Sequence, residues 1–433
     1  MTTPTERATN AYDFVIFGAT GFTAGFVLEE IAQHVRLPPD FTWALAGRNE
    51  QSLLKIAEKY SSNSSVPQPD IIIADVKTEK GLLEMARSAK LVLNCVGPYR
   101  YLGEPVVRAC IEGRADYLDL CGEPEFIERM SLEYHEKAVE AGVTILHAAA
   151  FDSVPCDLGV LEMKRALLER GATPSSIEAF FRVNTESSFA IHYATYEAAV
   201  LGFGSGGTEL GRIRKALAKV RPKPSAIGSF KAKFGALGVK KDPRTEGWII
   251  RYFFADPSVV RLSQSLDIHV GGSSVLPPVH FAAYLVIQST WALALLVFYF
   301  TIFQFLTGRA WGRNLLLKYP KVFTAGLASK EGPTSAQLAG ASFTETFYAK
   351  GYSNTSSITG PPDVTLVGRI TGPEPGYVAT PKLFVKCALT MLRSRNGHRM
   401  INGVLTPAVL FRDVRLLDEM KAEGWLGWNV VDG

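Results

Sequence analysis

Short apolar runs rich in Val, Ile and Leu recur through the first 150 residues, and polar stretches of helical length separate them. The runs 13–18, 42–46, 70–74, 91–96, 116–120 and 143–148 have strand length. Between them, 22–35, 49–60, 78–89, 104–114 and 124–141 predict helices. Continuous rather than alternating apolar runs suit strands buried on both faces, as a parallel sheet under two helix layers requires. The strand–helix alternation reads as successive βαβ units, so residues 1–152 predict an α/β domain with a doubly wound parallel Rossmann sheet.

From 153 the pattern changes. A helix at 155–170, a strand at 176–183 and a helix at 193–201 precede the glycine-rich run 202–207, which reads as a loop. A stretch rich in Lys and Arg follows over 212–244, a solvated face or an attraction to anionic headgroups. Between Asp267 and Arg309 there is no Asp, Glu, Lys or Arg, and 281–306 is apolar over a length that crosses a bilayer. Arg309, Arg313, Lys318 and Lys321 flank it on the C-terminal side, as a cytoplasmic flank does. The polar triplet Gln288-Ser289-Thr290 interrupts the run, which favours a hairpin inserted from one face over a crossing; a buried core or dimer helix is the alternative. Strand-like runs fill 341–380, and a helix at 381–393 leads into the tail.

Composition narrows the class. A chain of 433 residues, 47% apolar and 20% charged, suits two or three globular domains. A net charge of +4 without like-charge blocks gives no nucleic-acid surface. Five cysteines with no C-x-x-C pair and seven scattered histidines predict a reducing compartment and no metal site. The first dozen residues hold no apolar h-region, hence no secretory signal. Arg7 beside Glu6 makes a poor transit peptide, which leaves a mitochondrial address open.

The candidate chemistry lies at strand ends. Gly18, Gly21 and Ala24 form G-x-x-G-x-x-A directly after the first strand. Gly18 suits the tight turn, Gly21 a close approach to a diphosphate, and Ala24 close helix packing; Thr20, Phe22 and Thr23 complete the turn and open the helix. The helix N-terminus adds free N–H groups and a positive dipole end. Where an NAD site places an acidic residue after the second strand, this chain has Gly47-Arg48. Arg48 suits a ribose 2′-phosphate, so NADP is expected, with NAD as the alternative cofactor. Asp75 and Val76, after the third strand, are expected at the adenine, and Cys95, Val96, Gly97 and Pro98, after the fourth, along the nicotinamide ribose. Tyr99 and Asp152 are the candidate proton donors, although Asp152 is also a candidate helix cap.

Taken together, GATGFTAG, AGRN, NCVGPYRYLGEPVVRAC, YLDLCGE, FDSVPCDLG and GPEPGYVATPKLFVKCALTML resemble the saccharopine dehydrogenase-like oxidoreductases over nearly the whole chain. That resemblance implies an NAD(P)-binding Rossmann domain, a second α+β domain over 153–380 on a mixed or antiparallel sheet, and a segment 381–433 that packs back on the first domain. The branch in question includes lipid-droplet proteins and a bacterial trans-acting enoyl reductase. The expectation is therefore an NADP-dependent oxidoreductase of a lipophilic carbonyl or enoyl substrate, on the cytoplasmic face of a membrane or lipid droplet. A catalytically silent NADP-binding scaffold and a lysine-pathway dehydrogenase are the rivals, and a homodimer is an open alternative.

Overall fold

The computed structural model describes residues 11–33, 37–61, 66–186, 189–221, 223–232, 238–272, 274–355, 360–397 and 400–433; most of the first dozen residues and Lys233 of the basic stretch lie outside them. Strands β1 (Tyr12–Phe17), β2 (Trp43–Gly47), β3 (Asp70–Ile73), β4 (Ala89–Asn94), β5 (Asp116–Asp119) and β6 (Thr144–Leu146) come first, with helices between them. Next are β7 (Thr173–Thr185), β8 (Ile191–His192), β9 (Val239–Asp242), β10 (Gly247–Arg251), β11 (His280–Ile287), β12 (Ala328–Ser329), β13 (Ala341–Tyr352) and β14 (Val364–Pro373). The chain ends with β15 (Gly403–Leu405) and β16 (Gly427–Asp432).

Two compact units result. One holds residues up to Cys121, Arg129–Ala150 and Thr380–Leu405. Its sheet is parallel throughout, in the order β15-β6-β5-β4-β1-β2-β3, which is the doubly wound arrangement expected from the apolar runs. Phe14, Val15, Ile16, Leu45, Val92, Leu118 and Ile145 are buried in it. Helix Thr380–Asn396 lies against helix Phe22–Gln33, where Lys382 Nζ meets Glu30 at 3.1 Å, and Arg395 clamps Asp116 at 2.6 Å.

The other unit is Gly122–Glu128, Phe151–Ala379 and Thr406–Gly433, built on a mixed sheet in the order β16-β14-β13-β7-β11-β10-β9. Only β7 and β11 run parallel there. Helix Val154–Glu169 packs on one face; a Cβ at Gly159 would sit inside the Phe347 ring. The last segment divides: β15 completes the first sheet, whereas β16 pairs with β14, opposing Trp428 to Ile370.

Two expectations change. Residues 202–207 are no loop but lie within one helix, Tyr193–Val220. Tyr196 and Val200 of that helix pack on Leu306 and Leu316, and at Gly204 a Cβ would stand 2.6 Å from Arg313 Cδ and 2.8 Å from the Thr307 carbonyl. The glycine permits helix contact, and that packing outweighs its poor propensity of about 1 kcal/mol. A Cβ at Gly202 meets nothing within 4 Å. Gly202→Ala is thus expected to raise stability by about 0.5–1 kcal/mol and Gly204→Ala to lower it, as paired denaturant titrations will read.

The apolar run is likewise two elements. Its first part is β11, hydrogen-bonded between β7 and β10. The chain breaks at Ser289, whose side chain accepts from Ala292 N at 3.2 Å and caps helix Thr290–Thr307. The expected membrane segment 281–306 therefore contracts to that helix, because β11 spends its backbone in a sheet. The helix is 18 residues long and apolar enough to cross a membrane, with only 17% of it buried.

Candidate functional site

In the first unit the carboxyl ends of β1 to β4 converge on the glycine turn. Gly18 has φ +84°, a left-handed conformation that favours glycine, and its N–H donates to Ala46 O at 2.9 Å. A Cβ there would lie 2.6 Å from Val96 Cγ2. Gly21 N donates back to Gly18 O at 2.9 Å, closing a tight turn whose outer residues Thr20 and Gly21 are exposed. Phe22 and Thr23 start the helix, and buried Ala24 seats it on the sheet.

Arg48 is exposed directly after β2 and, among the described residues, makes no hydrogen bond or ion pair. Ala74 N donates to Gly47 O at 3.0 Å, which brings Asp75 and Val76 alongside it. Asp75 Oδ1 accepts from Lys77 N at 3.0 Å, shaping that turn. Cys95 N donates to Phe17 O at 2.8 Å and Val96 N to Asn94 Oδ1 at 3.0 Å, so Cys95 and Val96 flank Gly18, ahead of exposed Gly97 and half-buried Pro98. Burial, with Asp119 nearby, pushes the Cys95 thiol up to about 12, so it is no thiolate.

Tyr99, an expected proton donor, has its hydroxyl engaged by the backbone. It opens helix Tyr99–Gly113, five residues earlier than the sequence suggested, and its buried hydroxyl donates to Asn94 O at 3.0 Å and accepts from Leu120 N at 3.3 Å. Burial first, and Asp119 second, hold that phenol well above its ordinary range. It ties β4 to the chain leaving β5, and both faces of its oxygen are spent.

Beneath it runs a polar chain the sequence reading missed. Asn94 Nδ2 donates to Tyr117 Oη at 3.0 Å, and Tyr117 Oη donates to Asp119 Oδ2 at 2.9 Å. His147 Nδ1 meets the same oxygen at 2.7 Å, while Cys121 N and Ala148 N donate to Asp119 Oδ1 at 3.1 and 3.0 Å. The available signal was positional: Asn94 and Asp119 end two neighbouring strands and His147 directly follows the third.

Asp152 belongs to the second unit. Its backbone is left-handed, φ +56°, a strained conformation outside glycine. It does not cap the helix that follows it; Oδ1 accepts from Tyr252 Oη at 2.7 Å and Oδ2 from Ala255 N at 3.2 Å, at the start of helix Asp256–Val270. Burial pushes this carboxyl up to about 7, against the lowering effect of those bonds. The Phe151 ring lies 5.2 Å from that of Phe181 and 4.8 Å from that of Phe343, and Phe181 lies 5.9 Å from Tyr252, so Asp152, next to Phe151 in the chain and bonded to Tyr252, borders an aromatic cluster. Next to it Cys156, Asp256 and Glu345 form a group that no sequence motif announces. Glu345 stands opposite Phe181 in the β7–β13 register, hence on the same face.

Residues 14–146 match the family described as the saccharopine dehydrogenase NADP binding domain. A saccharopine dehydrogenase-like oxidoreductase of Mus musculus is 37% identical over 95% of this chain and 96% of the mouse protein. A lipid droplet localized protein of Caenorhabditis elegans is 30% identical over 95% of this chain and 97% of its own length. Among solved structures, saccharopine dehydrogenase (L-Glu forming) from Saccharomyces cerevisiae is similar at a TM-score of 0.53 and 13% identity, over 96% of this chain and 99% of that one, a likeness of fold alone. The first unit is an NADP-binding domain of the saccharopine dehydrogenase type.

Proposed function

We infer that this chain, which belongs to the saccharopine dehydrogenase-like oxidoreductases, uses NADP to reduce or oxidise a lipophilic carbonyl or enoyl substrate at a membrane or lipid-droplet surface. The observation that carries the substrate class is the setting of Asp152. It borders an aromatic cluster of Phe151, Phe181, Phe343 and Tyr252, and among the described residues no Lys or Arg pairs with it. A lysine-pathway substrate with several carboxylates calls for basic partners there, whereas an aromatic wall favours an apolar chain.

The cofactor supplies the hydride when bound. The turn from Gly18 to Thr23 offers backbone N–H groups and a helix N-terminus to its diphosphate. Arg48, unpaired at the end of β2, suits the 2′-phosphate, with Asp75 and Val76 beside the adenine and Cys95 to Pro98 along the nicotinamide ribose. Asp152, with its carboxyl near 7, is poised to give or take a proton at neutral pH. The surface reading rests on helix Thr290–Thr307 and the basic residues after it, and on the lipid-droplet name of the nematode relative.

The test is NADPH oxidation followed with a panel of long-chain aldehydes and enoyl thioesters, and saccharopine as control. Turnover with the lipophilic members is expected, and Asp152→Asn is expected to lower kcat about 10²- to 10⁴-fold without changing NADPH affinity. Tight NADPH binding with no oxidation across the panel would replace the enzyme with an NADP-binding scaffold.

A further inference from the structure

We propose that Asp256 and Glu345 are positioning residues that stay protonated next to Asp152, so that the three carboxyls titrate as one group. This rests on the reading of Asp152 as the proton donor and adds what sets its proton.

The geometry comes from four separate parts of the second unit. Asp152 lies ahead of helix Val154–Glu169, Cys156 lies in that helix, Asp256 opens helix Asp256–Val270, and Glu345 is central in β13. The Sγ of Cys156 and a carboxylate oxygen each of Asp256 and Glu345 all lie within 4.8 Å of one another. Glu345 is 2% exposed and Asp256 4%, whereas Asp152 is partly exposed and forms the outer member. The titratable groups acting on the cluster are Tyr252, Cys156 and Asp157; among the described residues no Lys or Arg pairs with any of its carboxyls.

Asp256 and Glu345 so placed, with Asp152 accepting from the Asp256 backbone, cannot all carry charge, since like charges a few ångströms apart repel by several kcal/mol in a medium of reduced dielectric. Either protons or a cation must neutralise them. Two details favour protons. Asp256 Oδ1 is buried with no hydrogen-bond partner, an acceptable state for a neutral acid and a costly one for a carboxylate. The Cys156 thiol hydrogen-bonds to Glu345 and burial pushes it well up, so its proton is placed to bond a Glu345 oxygen. Burial and the neighbouring Asp152 charge push Glu345 up to about 8, and burial, then Asp152 and Glu345, hold Asp256 well above its ordinary range. The apparent values then belong to the cluster rather than to one residue.

The sign follows. Folded carboxyls that bind protons more tightly than unfolded ones stabilise the fold fully below about 4, and that contribution is lost as pH rises through about 8. A neutral amide in place of a neutral acid leaves the lower pH range alone and relieves the upper one.

The test uses the full chain with Glu345→Gln, Asp256→Asn and Asp152→Asn. Infrared difference spectra should show protonated carboxyl groups at pH 7 in the parent protein. Glu345→Gln should remove part of that band, and Asp152→Asn should move the remaining titration to lower pH. Thermal melts should give Glu345→Gln a Tm equal to the parent at pH 5 and above it at pH 9. A deficit in Tm at every pH, absence of the protonated band, or a stoichiometric divalent cation on the purified protein by elemental mass spectrometry would overturn the proposal. None of these readouts needs turnover: a proton-sharing cluster without NADPH oxidation would sink the oxidoreductase reading and leave this one standing.

Discussion

Replacing Gly18 by valine is expected to lower NADPH affinity at least a hundredfold in a chain that still folds. Two effects combine. The residue has φ +84°, where a β-branched side chain is strained by about 1–2 kcal/mol or more. Its Cβ would also lie 2.6 Å from Val96 Cγ2 and 3.3 Å from the Cys95 carbonyl carbon, so the turn must move away from β4. Moving it takes backbone N–H groups off the diphosphate, and each charge-assisted bond lost is worth about 1.5–3 kcal/mol. Two such bonds correspond to about a hundredfold or more. Gly25 is the control, because a Cβ there meets nothing within 4 Å, and Gly25→Ala should bind NADPH as the parent does. Fluorescence titration with NADPH reads both. Parent-like affinity in Gly18→Val would remove the cradle from this turn.

The second large effect concerns the apolar helix. Trp291, Phe298, Phe305 and Trp311 are 74%, 59%, 56% and 57% exposed on or just beyond Thr290–Thr307. Burying a large apolar side chain in lipid contributes about 1.5–3 kcal/mol, and half of that for side chains already partly covered. Four such residues give roughly 3–6 kcal/mol, a factor of about 10²–10⁴ in partitioning. Arg309 and Lys318 are exposed beside them, and each basic residue near an anionic surface adds about 1 kcal/mol that salt screens. Replacing the four aromatics by serine should therefore abolish flotation with phosphatidylcholine–phosphatidylserine vesicles and leave NADPH binding intact. Unchanged flotation of the variant, or no flotation of the parent at low salt, would make the helix a protein contact instead.

Much of the first unit was legible because its signals are local. A parallel strand buried on both faces must be apolar along its length, so DFVIFG, DIIIA and LVLNCV declare themselves without neighbours. The glycine turn is legible for a similar reason, since its conformation is set by adjacent residues. Other stretches misled where local preference and packing disagree. Residues 202–207 carry every mark of a loop, yet Gly204 serves a helix contact supplied by residues 307 and 313, a hundred positions away. The run 281–306 carries no charge from end to end, although its start lies in a strand between two others and the rest forms a helix that is only 17% buried.

The sequence by itself determined the cofactor and the strands that hold it, because a nucleotide cradle is built from residues within one βαβ unit and written into one short stretch. Tertiary structure alone decided the surroundings of Asp152. Asp152 was visible as a residue, but its neighbours Tyr252, Asp256 and Glu345 stand about one hundred to two hundred positions further on and share no motif with it. A carboxyl's proton affinity is set by burial and by the charges that other elements bring within a few ångströms, and neither is a property of nearby sequence.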